Sequence, residues 1–164
     1  MDIRKAAVAD ARAIADVHVR TWQTAYAHAF PPGRLEQLSV DERELRWRGW
    51  LTEGHDVFVA EEDGRVVAFV WVGPSRDPSA DGELYAIYAL PDAWGTDAGP
   101  QLMHIGVQAL RDSGYHEAIL WVLEDNPRAR RFYEREGWAL DDARTDENFL
   151  GVRLPEVRYR LRLR

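Results

Sequence analysis

The run Leu120-Trp121-Val122-Leu123-Glu124-Asp125-Asn126-Pro127-Arg128-Ala129-Arg130-Arg131-Phe132-Tyr133-Glu134-Arg135-Glu136-Gly137-Trp138 changes character at its middle. From Ala118 to Leu123 the chain is continuously apolar, the pattern of a strand buried on both faces. Asn126-Pro127 then supplies a preferred helix cap and a proline tolerated in the first turn. A short helix over Asn126–Glu136 follows, and Gly137 stops it. The spacing therefore predicts a buried strand that runs straight into a short, capped helix carrying Phe132 and Tyr133.

Upstream, Glu83-Leu84-Tyr85-Ala86-Ile87-Tyr88-Ala89-Leu90-Pro91-Asp92-Ala93-Trp94-Gly95-Thr96-Asp97-Ala98-Gly99 predicts a strand over Leu84–Leu90, a turn and a helix over Gly99–Ser113. The turn and helix start present backbone N–H groups without internal partners, a setting that favours a phosphate or pyrophosphate. Glycine there lets a ligand approach the backbone closely. No Gly-Lys-Ser/Thr follows, so this is not a P-loop, and the glycine spacing is not that of a dinucleotide-binding fingerprint.

Further out, Val57–Ala60 and Val66–Val72 flank Asp63-Gly64, a hairpin signal. Pro74–Gly82 is a polar loop. Ile3–Ala6 predicts a short first strand. Asp10 is a candidate N-cap for a helix with Ala11, Ile14, Val17 and His18 on one face, extending with a second helix to about Phe30. A third helix fits Asp41–Leu51, with Leu45 and Trp47 to Trp50 as its apolar surface. At the C-terminus Val157, Tyr159, Leu161 and Leu163 alternate with Arg158, Arg160, Arg162 and Arg164, a strand with one wet face. Three strands precede the first crossover helix, so the order predicts a layered, mixed α/β domain rather than a doubly wound one.

The chain has 164 residues, 46% apolar and 30% charged, which is globular composition and predicts a single domain over residues 1–164. There are no cysteines, and His18, His28, His55, His104 and His116 lack ligand spacing, so no metal site is expected. A net charge of −7 argues against nucleic acid as a partner. No run approaches the roughly 18 apolar residues of a spanning helix, and no secretory h-region is visible, so no membrane partner and a cytoplasmic location are expected.

The pattern Asn126-x-x-Ala129-x-x-Phe132-Tyr133-x-x-x-Gly137-Trp138, with the proline-ended strand and Gly-containing turn upstream, resembles the GCN5-related N-acetyltransferase (GNAT) superfamily. The resemblance runs from about Val57 to Trp138. It implies the GNAT fold, a mixed twisted sheet with splayed central strands and helices on both faces. It also implies acetyl-CoA as co-substrate and an amine as acceptor, either a small molecule or a peptide, joined by direct attack in a ternary complex. On that reading the backbone of Tyr88, Ala89 and Leu90 pairs with the pantetheine arm. Gly95, Thr96, Asp97, Ala98 and Gly99 cradle the pyrophosphate. Asn126 binds near the pantetheine, Tyr133 protonates the leaving thiolate, and Glu83 is the general base. Trp22 and Tyr26, four apart, are candidates for the acceptor pocket, with core packing as the alternative.

That chemistry is balanced. An alkylammonium with a pKa near ~10 is roughly 0.1% neutral at pH 7, so a carboxylate base has work to do. A phenol with a pKa near ~10 can protonate a thiolate of pKa near ~8.5 for about 2 kcal/mol. The turn departs from the family at three positions. Asp97 stands where a glycine is usual, Thr96 where a cation is frequent, and Pro100 removes a donor. These changes predict weakened acetyl-CoA binding and favour, as the alternative function, a weak or inactive acyl-CoA or metabolite-binding module. A third reading is an interaction protein without cofactor. A homodimer is the commonest assembly for such a domain. Arg128, Arg130 and Arg131 read as a solvated helix face, with contact to the cofactor's 3′-phosphate as the alternative.

Overall fold

The computed structural model describes residues 1–164. Strands β1 (Asp2–Lys5), β2 (Asp56–Glu62), β3 (Arg65–Pro74), β4 (Gly82–Ala89), β5 (Glu117–Leu123), β6 (Ala139–Phe149) and β7 (Val152–Arg162) form one sheet in the order β1-β2-β3-β4-β5-β7-β6. The β4–β5 pair is parallel and the others are antiparallel. Helices α1 (Ala11–Ala25) and α2 (Val40–Thr52) cover one face, with Ile14, Val17 and Trp47 packed on Val57, Val59 and Phe69. Helices α3 (Ala98–Asp112) and α4 (Pro127–Arg135) cover the other, with Leu102, Val107 and Tyr133 in the core that holds Val70, Val72 and Leu120. The expected mixed sheet with helices on both faces is what the chain adopts.

The sheet opens at its centre. β4 and β5 pair only at Gly82↔Ala118 and Glu83↔Ile119, after which β4 follows β3 and β5 follows β7. The register of β3 on β4 shifts between Trp71 and Val72, so that Tyr85 is an extra residue on β4. Such a bulge bends its strand and re-aims it. Past the bulge, β4 therefore leaves β5 with one edge unpaired. The Asp63-Gly64 turn closes β2–β3 with both residues at positive φ, 52° and 76°, as a two-residue hairpin demands.

Four local expectations change. Asp10 stands before α1 but does not cap it: its carboxylate pairs with Arg4 at 2.8 Å and accepts the Ala7 N–H at 2.7 Å. Leu45 is 71% exposed, so α2 buries Trp47 and not Leu45. β6 was not legible, because Leu140-Asp141-Asp142-Ala143-Arg144-Thr145-Asp146-Glu147-Asn148 is poor in strand formers; long pairing to β7 holds it. The C-terminal arginine face is not simply wet. Arg158 reaches Asp77 and Asp141, each at 2.7 Å, and Arg160 reaches Glu117 at 3.0 Å, all beneath the loop after β3.

His18 is half-buried among Trp47, Phe69 and Tyr88, and its Nδ1, which is buried, has no partner. Burial, with Arg43 adding repulsion, pushes its pKa down to about 3. The unfolded chain takes this proton below about pH 6.5, whereas the folded chain refuses it until about pH 3. The stability His18 allows is thus full above pH 6.5 and falls by up to about 1.4 kcal/mol per unit below it. Between pH 6.5 and 5 the natural chain should lose about 2 kcal/mol that His18→Leu does not lose. Urea midpoints of both proteins at several pH values decide this, and parallel curves would refute it.

Candidate active site

Two cavities open on the splayed strands. The first, about 460 Å³, is lined by Trp22 of α1, Tyr26 just after it, Glu83 to Tyr88 of β4, Trp121 to Leu123 of β5 and parts of β6 and β7. The second, about 490 Å³, lies between the end of β4, the turn 94–100 and α4. Tyr26, Ile87, Tyr88 and Tyr133 line both, so the cavities meet at these four residues.

α4 carries the junction. The Asn126 side chain accepts the Ala129 N–H at 3.2 Å, the cap that its position predicts, and donates to the Tyr26 hydroxyl at 3.2 Å. Asn126 thereby ties α4 to α1 while lining the second cavity. Tyr133 is 7% exposed, and its hydroxyl has no hydrogen-bond partner in the protein. Burial, followed by the neighbouring Tyr88, raises its pKa, with Arg128 opposing, so at neutral pH it is a phenol with a proton to give. Tyr88 is likewise pushed up to about 12 by burial.

The β4 edge is narrower than expected. The Leu90 N–H donates to Val67 O at 2.9 Å, and Leu90 is fully buried on the α1 side, so it does not reach the cavity. Antiparallel alternation then turns the polar groups of Tyr88 toward β3 and those of Ile87 and Ala89 toward the opening. The Ala89 carbonyl is already taken, by the Trp94 indole at 2.8 Å and Thr21 at 3.2 Å. The donors left to a ligand are thus the N–H groups of Ile87 and Ala89.

In the turn, Gly95 has φ +78° and lines the second cavity with Thr96, Asp97 and Gly99. A Cβ on Gly99 would lie 3.4 Å from the Phe132 ring, an ordinary van der Waals contact between α3 and α4. Ala98 is fully buried and gives its N–H to Thr96 Oγ1 at 3.3 Å; it belongs to the core, not to the cavity wall. Asp97 is exposed at the start of α3, without a capping bond.

Of the three arginines read as a solvated face, Arg128 and Arg131 are exposed and Arg130 is not. Arg130 bonds Tyr159 at 3.1 Å and Glu124 O at 3.0 Å. Arg128 lies 3.7 Å above the Trp94 ring and lines the second cavity beside Asp97. Burial lowers its pKa. α4 thus places a cation beside the turn.

Glu83 is 1% exposed and lines the first cavity, but it is occupied: Arg76 reaches it with its backbone N–H at 3.0 Å and Nη2 at 2.6 Å. Two carboxylates that escaped the sequence reading, Glu147 and Glu156, line the same cavity. Burial, then repulsion by Glu147, pushes Glu156 up to about 7. Its position in phase with Arg158 and Arg160 was visible, but that face had been read as solvent.

A model of the acetyltransferase (GNAT) family matches residues 17–138. The chain belongs to this family. It is 36% identical over 160 residues to the "uncharacterized N-acetyltransferase YuaI" of Bacillus subtilis (strain 168), covering 94% of this chain and 89% of that protein. Among solved GNAT structures, one GCN5-related N-acetyltransferase from Rhodopseudomonas palustris superposes with a TM-score of 0.80 at 20% identity, over 98% of this chain and 94% of the other. The protein yncA from Salmonella typhimurium, solved with its cofactor acetyl-CoA, superposes with a TM-score of 0.74 at 20% identity, over 100% of this chain and 94% of the other. The GNAT fold and acyltransferase class follow from this membership. No helix of the chain is long and apolar enough to cross a membrane.

Proposed function

We propose that this chain, as one domain over residues 1–164, transfers the acetyl group of acetyl-CoA to a primary amine by direct attack, in the cytoplasm. The observation that carries the reading is the unpartnered Tyr133 hydroxyl at the junction of the two cavities. The ring is held in the core while the hydroxyl, which bonds no protein group, is left to meet a ligand atom in the cavities.

The second cavity fits acetyl-CoA by its donors. The N–H groups of Ile87 and Ala89 face an extended, amide-bearing arm. The turn Gly95–Gly99 and the start of α3 favour phosphate oxygens, and Arg128 adds a fixed charge. Bound acetyl-CoA supplies an acetyl thioester. Tyr133 holds a proton at the junction for the departing sulfur, while Trp22 and Tyr26 wall the acceptor side, 4.6 Å apart between ring centroids. Asn126 positions Tyr26 through their hydrogen bond.

The exposed Asp97 favours a second reading, a weak acyl-CoA-binding module. Calorimetric titration with acetyl-CoA and CoA separates the two. Micromolar binding with turnover of an amine supports the enzyme, binding without turnover supports the module, and no binding removes both. Arg128→Ala should weaken acetyl-CoA about tenfold, the size of one charge-assisted contact. Asp97→Gly should tighten it a few-fold, about 1 kcal/mol for like charges in high dielectric. An unchanged Kd in Arg128→Ala would assign that arginine to packing on Trp94 alone.

A further inference from the structure

We propose that Glu156, not Glu83, takes the proton from the acceptor amine. The same end of the cavity selects an acceptor that arrives as a primary alkylammonium on an aromatic or apolar body, with no carboxylate beside its nitrogen. This rests on the acetyl-transfer reading above and names the proton acceptor and substrate class of that site.

The register places the group. On β7, Glu156 stands between Leu123 of β5 and Thr145 of β6, and all three line the first cavity. Glu147 lies two residues further along β6 on the same face, a diagonal neighbour about 7–8 Å away between Cα atoms. It is exposed, whereas Glu156 is half-buried, so Glu147 sits nearer the mouth. Four carboxylates line this cavity. Glu83 is committed to Arg76 and Asp77 to Arg158. Glu147 and Glu156 have no cationic partner.

An acidic cluster alone would signify little. The independent sign is Tyr133, a side chain only 7% exposed that lines the same cavity and whose hydroxyl bonds no protein group, so that it is free for a polar atom of a ligand. The groups facing Glu156 are Glu147 of β6, Glu83 of β4 and Arg76 of the loop after β3, with the un-ionised tyrosines Tyr26 and Tyr88 across the cavity. Burial and the two glutamates raise Glu156 and Arg76 lowers it, leaving it near 7. A base with a pKa near the working pH is the efficient one.

The step balances. One ammonium proton passes from nitrogen to a Glu156 oxygen, directly or through one water. The freed lone pair forms the N–C bond to the acetyl carbonyl carbon, and the C–S bond breaks. The sulfur leaves with that electron pair and takes the Tyr133 hydroxyl proton. The nitrogen, left positively charged by the attack, gives up its second proton, which returns through water to Tyr133, and Glu156 releases the first proton to solvent. Trp22, Tyr26, Trp121 and Phe149 give the cavity aromatic walls, which suit an apolar body and a cation over ring faces. A carboxylate beside the amine would meet Glu147 and Glu156 as a like charge.

The test compares phenethylamine, phenylalaninamide and phenylalanine, three amines on one aromatic body, across pH 5.5–9, with acetyl-CoA Kd measured for every protein. The natural chain should prefer phenethylamine and the amide over phenylalanine by about tenfold or more in kcat/KM. Its kcat/KM should rise along a limb centred near pH 7. Glu156→Gln should flatten that limb and cost about tenfold to a hundredfold at pH 7, with acetyl-CoA Kd unchanged. Glu147→Gln should keep turnover and move the limb to lower pH, because it removes a charge that holds the Glu156 proton. A purely structural glutamate would not produce that shift. Loss of acetyl-CoA binding by the natural chain would sink the acetyl-transfer reading itself. Turnover with an intact limb in Glu156→Gln would overturn the role of Glu156. Equal use of phenylalanine, or failure of all three amines to bind the CoA complex, would overturn the substrate class.

Discussion

Replacing Tyr133 by Phe is expected to lower kcat by about a hundredfold to a thousandfold while leaving acetyl-CoA Kd within about twofold. The ring is most of the packing: it lies 5.7 Å from Phe132 and 6.1 Å from Tyr159 between centroids, and Phe keeps those contacts. Only the hydroxyl goes, and that hydroxyl bonds nothing in the protein, so no buried partner is orphaned. The folded state should therefore lose little. Its raised pKa looks at first like a poor property for an acid. Yet the burial that raises the phenol also disfavours a thiolate beside it, so the gap between them stays near the ordinary ~1.5 units, about 2 kcal/mol. Single-turnover measurement of acetyl transfer, with Kd by calorimetry, checks the split. A fall in affinity with unchanged turnover would make Tyr133 a binding residue, and no change in either would leave solvent as the proton source.

What the sequence disclosed and what it hid divide along locality. The α4 segment was legible because its signals act within one turn: Asn126 caps, Pro127 starts and Gly137 ends the helix. The hairpin at Asp63-Gly64 was legible for the same reason. The splay was expected only through resemblance, since its physical cause, the extra residue Tyr85 against β3, is a matter of pairing register. Glu156 and Glu147 stayed hidden because an alternating strand states which residues share a face but not what covers that face. Here β6 and the 75–81 loop cover it, and β6 has no strand propensity to announce itself. Glu83 was visible, but its capture by Arg76 depends on how that loop folds back. Leu90 and Ala98 were assigned to the cofactor by position along the motif, and the alternation of β4 and the phase of α3 turn both inward.

Trp47→Ala is expected to destabilise the fold by about 3–5 kcal/mol, the range for deleting a large aromatic from a packed core. Trp47 is fully buried and joins three layers of one aromatic stack. Its ring meets Trp50 at 5.0 Å, Phe69 at 5.1 Å and Trp71 at 4.9 Å, all edge-on, the arrangement ring quadrupoles prefer. It also meets His18 at 6.2 Å, so it ties α2 to α1 as well as to β3. Its indole N–H is buried without a partner, a liability that Ala and Phe both remove. Trp47→Phe should consequently cost much less than Trp47→Ala, because it keeps most of the apolar volume and deletes the unsatisfied donor. Urea unfolding of the three proteins checks the order; equal losses in both variants would mean that the indole ring edge, not its volume, holds the stack. The consequence reaches the site through α1. That helix brings Thr21 to the Ala89 carbonyl and sets Trp22 and Tyr26 in the acceptor wall. A loosened α1–α2 contact should therefore raise the acceptor KM in Trp47→Ala more than the acetyl-CoA Kd, since Asn126, Arg128 and the turn stand on the opposite layer.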